Sequence, residues 1–267
     1  MRYIVGIDAD GTIFDTMNIK HKEVFWQCMM KRWDVPDPDG KILAAAEKIN
    51  LYSKSRGVNR FPGLLSVMEI CPTLAGLDKS PLSDFINSGY PMSNAGLEKY
   101  ISDGHNDDLL ADVLAWSRDI DRVFAEKTEG LMPFRGADKA IRKMAEKVDV
   151  VIVSSASGAI LERDLESAAL TGCITKIMGQ ECGKKHEQLE AVKASLASDR
   201  VLMIGDAISD CDAARRVGAY FYPIIPGSEE RSWQEFLDKY LESFISDEYH
   251  SSHEDALYQE FLAVFEN

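Results

Sequence analysis

The chain has 267 residues, of which 45% are apolar and 28% are charged, and its formal net charge is -14. This length and composition are typical of a folded globular protein with one large domain or two smaller ones. The excess of acidic residues argues against binding to nucleic acid or to an anionic membrane surface, because both would repel the protein.

The first predicted element is a buried β-strand at residues 3–7, and a long helical segment follows it. The segment covers residues 16–130, and loops that carry glycine and proline, including residues 56–63, interrupt it. Its predicted helices are 17–33, 41–55, 81–87, 94–102 and 107–127. Because the crossover between two parallel strands needs far fewer residues, we interpret 16–130 as an inserted helical domain.

Strand and helix patterns alternate after residue 130. The predicted strands are 149–155, 173–178, 200–206 and 219–225. The predicted helices are 137–147, 186–197 and a short helix that ends at Gly218. This alternation predicts a parallel sheet with helices on both faces.

The last 42 residues, 226–267, predict two amphipathic helices. Their apolar side chains recur at helical spacing, so we expect this segment to pack on the core. These side chains are Trp233, Phe236, Leu237, Leu241 and Phe244.

The cysteine pattern and the hydropathy indicate the compartment. The five cysteines are widely spaced and include no C-x-x-C pair, which argues against a disulfide framework and against a zinc site. The N-terminal apolar run is too short for a signal peptide or an anchor, and no later run approaches the ~18 apolar residues of a membrane helix. We expect a soluble, cytoplasmic protein that binds no membrane.

An acidic pair follows the first predicted strand, in the run Asp8-Ala9-Asp10-Gly11-Thr12. Gly11 permits a turn there, and a turn would direct both carboxylates into one pocket. Crowded carboxylates repel one another, and a hard divalent cation with oxygen ligands relieves that repulsion. Taken alone, such a run is equally typical of a turn with solvated acids.

Three further signals lie at the carboxyl ends of predicted strands, which is the edge where open α/β sheets bind ligands. They are Ser154-Ser155, Lys184-Lys185, and the run Gly205-Asp206 with Asp210. A hydroxyl and a neighbouring backbone N–H can bond a phosphoryl oxygen, an ammonium can hold an anion, and the carboxylates can complete a metal site.

Each of these three signals also has a plainer interpretation. A serine at a strand end is often a helix N-cap, and a lysine pair is usually solvated. Asp210 or Asp212 could simply cap the helix that follows. The agreement of all four signals at one predicted edge favours a functional site.

At these positions the sequence resembles the haloacid dehalogenase-like (HAD) superfamily. The family's first motif, D-x-D-G-T after an apolar strand, is matched by Asp8 to Thr12. Its second motif is matched best by Ser155, its third by Lys185 in preference to Lys184, and its fourth by Gly205, Asp206 and Asp210. The third motif departs from the family pattern because it lacks the common Lys-Pro pair.

The resemblance implies an α/β fold with a Rossmann-like, doubly wound parallel sheet core and an inserted all-helical cap domain. Residues 1–15 and 131–267 would form the core, including the C-terminal helices 226–267 packed on it, and residues 16–130 would form the cap.

The resemblance also implies a Mg²⁺-dependent phosphatase that acts on a small phosphorylated metabolite. Asp8 would be the nucleophile that forms an aspartyl-phosphate, and Asp10 the general acid and base. The implied Mg²⁺ ligands are Asp8, Asp10 through its backbone carbonyl, Asp206 and Asp210. The implied phosphoryl-binding residues are Thr12, Ser155, Ala156 and Lys185.

Two alternatives to a phosphatase stay open at this point. A phosphomutase would use the same residues but return the phosphoryl group to its sugar. A phosphate-sensing or phosphate-binding module, which is not an enzyme, would also combine clustered acids with a serine and a lysine. The sequence is compatible with a monomer or a homodimer.

Residues of the inserted segment give weaker predictions. Arg56, Asn59 and Arg60 lie in the loop at 56–63 and are candidates for contact with an anionic substrate, although solvated loop residues are the commoner case. Trp26 and Trp33 are expected in a hydrophobic core.

Overall fold

The structure, a computed structural model, describes residues 3–198 and 200–265. The chain divides into two compact units, one formed by residues 1–17 and 130–267 and the other by residues 18–129. The bounds expected for the inserted segment, 16–130, differ from the second unit by two residues at the start and by one at the end.

The first unit contains a five-stranded sheet in which all paired strands are parallel. The strands are β1 (Ile4–Ile7), β2 (Asp149–Val153), β3 (Lys176–Met178), β4 (Val201–Gly205) and β5 (Tyr220–Pro223). Their spatial order is β3-β2-β1-β4-β5. The predicted α/β fold with a parallel sheet is therefore confirmed.

The central strands are buried because helices cover both faces of the sheet. Every residue of β1, β2 and β4 is buried, and Ile7 of β1 pairs with Ile152 of β2 and with Ile204 of β4. This burial explains why these strands read as continuous apolar runs in the sequence.

The observed strands are shorter than the predicted ones at their ends. Strand β2 ends at Val153; the N–H of Ser154 still donates to the carbonyl of Met178 in β3, and the chain bends away at Ser155. The edge strand β3 covers only three of the six residues predicted, since Thr171–Cys173 forms a 3₁₀ turn instead.

Helices of the first unit connect the strands and, after β5, continue as far as Ala263. They are Ala137–Ala145, Gly158–Ser167, Lys185–Leu196, Ile208–Arg216, Glu229–Glu235, the π-helical turn Phe236–Tyr240, Leu241–Ile245 and Ser251–Ala263. The helix Gly158–Ser167 was not among the individual helices predicted from the sequence pattern.

The helices Glu229–Glu235 and Leu241–Ile245, with the π-helical turn between them, pack against the sheet in one hydrophobic cluster. The cluster joins side chains of β1, β2 and β4 with Trp233, Phe236, Leu237, Leu241 and Phe244. The expected packing residues of this segment are thus all buried next to the sheet.

The second unit contains helices and the loops that join them. Its helical elements are the π-helical segment Ile19–Val24, then Phe25–Arg32, Lys41–Leu51, Arg60–Ile70, the 3₁₀ turn Pro72–Leu74, Ser80–Asn87, Asn94–Ser102 and Asp108–Lys127. A short helix at Thr16–Asn18 precedes them. Trp26 is buried in the core of this unit, and the half-buried Trp33 packs against that core.

The helix Arg60–Ile70 corrects the prediction of a loop at 56–63. Pro62 stands in the first turn of the helix, where a missing N–H costs nothing. Asn59 accepts a hydrogen bond from the N–H of Phe61 and so caps the helix. Gly63 is buried, and a Cβ there would lie 3.1 Å from Oδ1 of Asn50. The absence of a side chain at position 63 therefore allows close packing inside a helix, and it does not mark a turn.

Among the helices of the described residues, none has the length and apolar character needed to cross a membrane.

Candidate active site

Asp8 begins the candidate site at the carboxyl end of β1. Its N–H donates to the carbonyl of Ile204 in β4 at 2.9 Å, which extends the pairing of the two strands by one residue. Strand β1 lies between β2 and β4, where the chain order of the sheet reverses. A crevice outside the carboxyl ends of such strands is the usual ligand site of an open α/β sheet.

The turn after Asp8 folds the chain back on itself. Gly11 has φ of +73°, which glycine adopts without strain, and its N–H donates to the carbonyl of Phe14 at 2.8 Å. The carbonyl of Ala9 accepts from the N–H groups of Ile13 and Phe14. The turn places Asp10 on the half-exposed side of the loop.

Asp10 is held by a residue that the sequence analysis did not single out. The hydroxyl of Thr16 donates to Oδ1 of Asp10 at 2.5 Å, and Thr16 itself is buried. The signal that could have identified Thr16 is its position four residues after Thr12, the last residue of the first motif. The bond restricts the rotamers of the carboxylate expected to transfer protons.

Three carboxylates form a buried acidic cluster. Ligand oxygens of Asp8, Asp206 and Asp210 all lie within 4.8 Å of one another, and all three side chains are buried. Asp8 follows β1 and Asp206 follows β4, so strand pairing itself brings these two together. The expected role of Asp10 is through its backbone carbonyl, and its side chain is not part of this cluster.

Lys185 neutralises part of the cluster. Its Nζ lies 3.0 Å from Oδ2 of Asp8 and 2.5 Å from Oδ1 of Asp210, and its side chain is 13% exposed. Lys184 is exposed, and its backbone N–H donates to the side chain of Glu187. Of the two lysines left open by the sequence, Lys185 is the one beside Asp8.

The electrostatics of the cluster follow from burial and crowding. The pKa of Asp8 is raised from 3.8 to about 8, mainly by burial; the nearby Lys185 opposes this rise, and the carboxylates of Asp210, Asp206 and Asp10 add to it. Burial also raises the pKa of Asp210, which Lys185 opposes. For Lys185 burial would lower the pKa, but Asp210 and Asp8 outweigh burial and raise it.

These shifts test whether the cluster fits a divalent cation. Three buried carboxylates lie beside the ammonium of Lys185, and the pKa of Asp8 is raised to about 8 even though Lys185 opposes the rise. A hard cation would favour the ionised form of each carboxylate. An all-oxygen ligand set of this kind fits Mg²⁺.

Asp210 has two roles that the sequence analysis treated as alternatives. Its Oδ2 accepts from the N–H of Ala207, which caps the helix Ile208–Arg216. Its Oδ1 meets Lys185 within the acidic cluster. Gly205 makes room for it, because a Cβ at that position would lie 2.3 Å from Oδ2 of Asp210.

Thr12 has two hydrogen bonds inside the site region that the sequence does not reveal. Its side chain is fully buried, and its hydroxyl donates to Oδ1 of Asp206 at 2.9 Å. The carbonyl of Thr12 accepts from Nε1 of Trp233 at 2.9 Å. The hydroxyl therefore orients a carboxylate of the cluster, and contact of Thr12 with a phosphoryl group stays a prediction.

The segment after β2 carries the candidate hydroxyl. Ser155 is exposed two residues beyond the end of β2, whereas Ser154 is buried. The N–H of Ala156, expected to bind a phosphoryl oxygen, donates to Oγ of Ser154 at 3.2 Å. Ser155 and Ala156 stay predictions as phosphoryl-binding residues.

Gln188 is a further residue of the site region that the sequence analysis missed. It is fully buried, and its Nε2 donates to the carbonyls of Ser154, Gly179 and Gly183 at 3.1, 2.9 and 2.9 Å. It lies one helical turn after Lys185, so the i,i+3 spacing was the available signal. This amide joins the Lys185 helix to the segments that follow β2 and β3.

Arg56 and Arg60 have contacts inside the second unit. Arg56 is buried, and its guanidinium donates to the carbonyl of Leu51. Arg60 donates to Ser117 and forms an ion pair with Asp121 at 2.6 Å. These contacts favour a structural role for both arginines, and their binding of substrate stays a prediction.

Asn59 also has structural contacts. It caps the helix Arg60–Ile70, and its amide donates to the carbonyl of Met92 at 2.9 Å.

Several solved structures share this fold. A haloacid dehalogenase-like hydrolase from Streptococcus pneumoniae is 13% identical, with a TM-score of 0.53 over 87% of this chain and 91% of that one. A candidate phosphoglycolate phosphatase from Lactobacillus delbrueckii is 16% identical, with a TM-score of 0.51 over 83% and 85% of the two chains. A candidate β-phosphoglucomutase from Thermotoga maritima is 16% identical, with a TM-score of 0.51 over 83% and 84%. Because the sequence identities are this low, the structural similarity shows only that this chain shares the fold of these proteins.

A family model gives the sequence-level assignment, whereas the search of curated proteins found no match. The model of the haloacid dehalogenase-like hydrolases matches residues 89–224, slightly more than half of the chain. The match includes Ser155, Lys185, Asp206 and Asp210, and Asp8 lies before it. With the parallel sheet and the acidic cluster at its carboxyl edge, this match shows that the chain belongs to the haloacid dehalogenase-like hydrolases.

Proposed function

We propose that this protein is a Mg²⁺-dependent phosphatase that hydrolyses a small phosphorylated metabolite through an aspartyl-phosphate on Asp8. The observation that carries the proposal is the position of Lys185 Nζ, 3.0 Å from Asp8 and 2.5 Å from Asp210, beside the buried carboxylates. The arrangement combines a nucleophile, a cation for the phosphoryl oxygens and ligands for a metal.

Asp8 is the proposed nucleophile. Its carboxylate oxygen would attack phosphorus in line, and the bond from phosphorus to the substrate's ester oxygen would break. A covalent intermediate of this kind divides one difficult displacement into two easier ones. Water would then attack phosphorus, which releases inorganic phosphate and restores the carboxylate of Asp8.

Asp10 is the proposed general acid and base. It would give a proton to the leaving oxygen in the first step and take one from the attacking water in the second. Its half-exposed position and its bond from Thr16 support this role, because a fixed carboxylate beside the nucleophile can serve both steps. By the family resemblance, aspartate at this position favours phosphate-ester chemistry over dehalogenation.

Asp8, Asp206 and Asp210 are the proposed side-chain ligands of Mg²⁺, together with the backbone carbonyl of Asp10. When bound, the cation would offset negative charge on the phosphoryl oxygens. The chain contributes the fixed carboxylates, and Lys185 and Ser155 would hold the phosphoryl group in place. Most of the acceleration would come from this preorganised electrostatic setting.

The proposal is tested by the hydrolysis of p-nitrophenyl phosphate with Mg²⁺. We expect Asp8→Asn to lower kcat by at least about 10³-fold, because the nucleophile is lost. Excess EDTA should abolish wild-type activity. Asp212→Asn is the matched control, since it removes an exposed carboxylate two residues from Asp210 and should leave kcat unchanged.

A trapping experiment identifies the intermediate. Mass spectrometry of acid-quenched enzyme should find the phosphoryl group on the peptide that contains Asp8. Full activity of Asp8→Asn, or full activity in EDTA, would contradict the proposal. Transfer of the phosphoryl group within a hexose 1-phosphate, without release of free phosphate, would instead identify a phosphomutase.

A further inference from the structure

We propose that Trp233, in the C-terminal segment of the chain, is a positioning residue for the cation site. Its indole N–H holds the backbone of Thr12, and the hydroxyl of Thr12 orients the carboxylate of Asp206. The inference rests on the proposed function, because it assumes that Asp206 binds a divalent cation.

The first link joins the C-terminal segment to the turn after β1. Nε1 of Trp233 donates to the carbonyl of Thr12 at 2.9 Å, across 221 residues of sequence. Both residues are fully buried. A buried hydrogen bond without competing water holds both groups firmly, because breaking it leaves a donor and an acceptor unsatisfied.

The second link joins the same residue to the acidic cluster. Oγ1 of Thr12 donates to Oδ1 of Asp206 at 2.9 Å, and Asp206 is also buried. The carbonyl that Trp233 binds and the hydroxyl that donates to Asp206 both belong to Thr12. A shift of the Thr12 backbone would therefore move the hydroxyl that holds the Asp206 carboxylate. Partners that orient a metal ligand in this way are a main determinant of metal affinity.

The helix that carries Trp233 is itself anchored at the sheet. The hydroxyl of Tyr222 in β5 donates to the carbonyl of Ser232 at 2.7 Å, and the hydroxyl of Ser232 accepts from the N–H of Ile225 at 3.0 Å. The indole ring also packs edge-on against Phe236. Trp233 therefore approaches Thr12 from a fixed element, as a supporting residue must.

A purely structural bond is the plainer explanation, since a buried indole N–H usually finds an acceptor. Trp116 provides the comparison within the same chain. It is fully buried in the second unit, and its Nε1 donates to the carbonyl of Phe25 at 3.1 Å. Phe25 has no polar side chain, so this second indole bond does not lead to a carboxylate.

The test compares Trp233→Phe with Trp116→Phe. Each substitution keeps an aromatic ring and removes one buried N–H bond. Binding of Mg²⁺ alone is measured by calorimetry on protein freed of metal, and thermal stability is measured in EDTA. We expect Trp233→Phe to weaken Mg²⁺ binding by about threefold or more, while Trp116→Phe binds Mg²⁺ as the wild type does.

Thr12→Val tests the second link, because it removes the hydroxyl and keeps the shape. We expect Mg²⁺ affinity to fall by about tenfold, which is typical for loss of a group that orients a metal ligand. The double variant with Trp233→Phe should lose less affinity than the product of the two single losses, since both act through the same carboxylate.

Spectroscopy of the wild type does not depend on the folding of a variant. With ¹⁵N-labelled tryptophan, the indole N–H resonance of Trp233 should shift when Mg²⁺ binds, and that of Trp116 should not.

The outcomes separate this inference from the proposed function. A wild type that does not bind Mg²⁺ contradicts the proposed function. A wild type that binds Mg²⁺, together with an unmoved Trp233 resonance or with equal Mg²⁺ affinities for Trp233→Phe and Trp116→Phe, overturns the positioning role alone.

Discussion

Gly205 shows how a residue without a side chain shapes the candidate site. It ends β4, and the carboxylate of Asp210 occupies the space where its Cβ would lie, with Oδ2 only 2.3 Å from that point. The nearest atom belongs to a carboxylate that also meets Lys185 and the N–H of Ala207. Asp210 therefore cannot move aside without breaking those bonds.

We expect Gly205→Ala to lower phosphatase activity by about 10²-fold, because a displacement of this size misplaces a catalytic group. The measurement is kcat/KM with p-nitrophenyl phosphate, beside the thermal stability of the variant. Gly172→Ala is the control, since a Cβ there meets no atom within 4 Å. Unchanged kcat/KM in Gly205→Ala would mean that the position of Asp210 is not critical.

At the same scale, the sequence left some choices open that side-chain contacts decide. The sequence favours Lys185 over Lys184 only through the family resemblance, and in the structure it is the side chain of Lys185, at the start of its helix, that lies beside Asp8. The roles expected for Asp8, Asp10, Ser155 and Ala156 depend on a bound substrate, so they stay predictions.

At the scale of elements, Gln188 joins three segments around the candidate site. One buried amide group donates to carbonyls that follow β2 and β3 and to one that precedes the Lys185 helix. These carbonyls lie in the segments between the elements, and the carbonyl of Gly179 also accepts from the N–H of Cys182 at 2.9 Å. The side chain of Gln188 thus connects these three segments by hydrogen bonds to their backbone.

We expect Gln188→Met to lower the free energy of unfolding by about 1–3 kcal/mol, because three carbonyls, including that of the buried Ser154, lose a hydrogen bond from a buried amide. Chemical denaturation measures the change. Gln234→Met is the control: its amide bonds Asp238 at an exposed position, and its effect should stay within about 0.5 kcal/mol. Equal stabilities of the two variants would contradict a bridging role for Gln188.

The C-terminal segment also covers the outer edge of strand β5, a role that the sequence did not reveal. Among the strands of the described residues, β5 is the last in the sheet, so the backbone groups on its outer side have no neighbouring strand there. The carbonyl of Phe221 accepts from the hydroxyl of Tyr249, and the N–H of Phe221 donates to the buried carboxylate of Glu254. These side chains cover the open edge of the sheet, a common protection against pairing with another chain.

At the scale of the whole molecule, the acidic cluster couples folding to pH and to metal. The pKa of Asp8 is about 8 in the folded protein, against an ordinary value of 3.8. Because folding raises the pKa of Asp8, the protonated carboxyl stabilises the folded state fully at pH values below the ordinary pKa of 3.8. This stabilisation is lost as the pH rises through about 8. Metal-free protein should therefore lose stability across this range, since the folded state retains a proton that the unfolded state releases.

We expect the Tm of Asp8→Asn in EDTA to rise relative to that of the wild type as the pH increases from about 4 to about 8, because asparagine does not titrate. Saturating Mg²⁺ should raise the wild-type Tm and reduce its dependence on pH, since the cation binds the ionised cluster of the folded state. Scanning calorimetry at several pH values measures both effects. A difference in Tm between the two proteins that does not change with pH would contradict the raised pKa.

The sequence by itself determined the architecture of the first unit and the kind of chemistry to look for. Buried parallel strands must be continuously apolar, and polar residues at their carboxyl ends must share one edge. For this reason Asp8, Asp206 and Lys185 could be recognised before any contact was known. The spacing of apolar residues along the chain likewise predicted most helices of residues 18–129.

Only the tertiary structure decided the partners of these residues. The hydrogen bonds from Trp233 to Thr12 and from Gln188 to Ser154 join positions far apart in the chain, and no local pattern encodes them. The helix at Arg60–Ile70 was misread for a related reason, because Gly63 marks close packing against Asn50 there and not a turn. Local propensity specifies elements, whereas packing between distant segments selects which side chains meet.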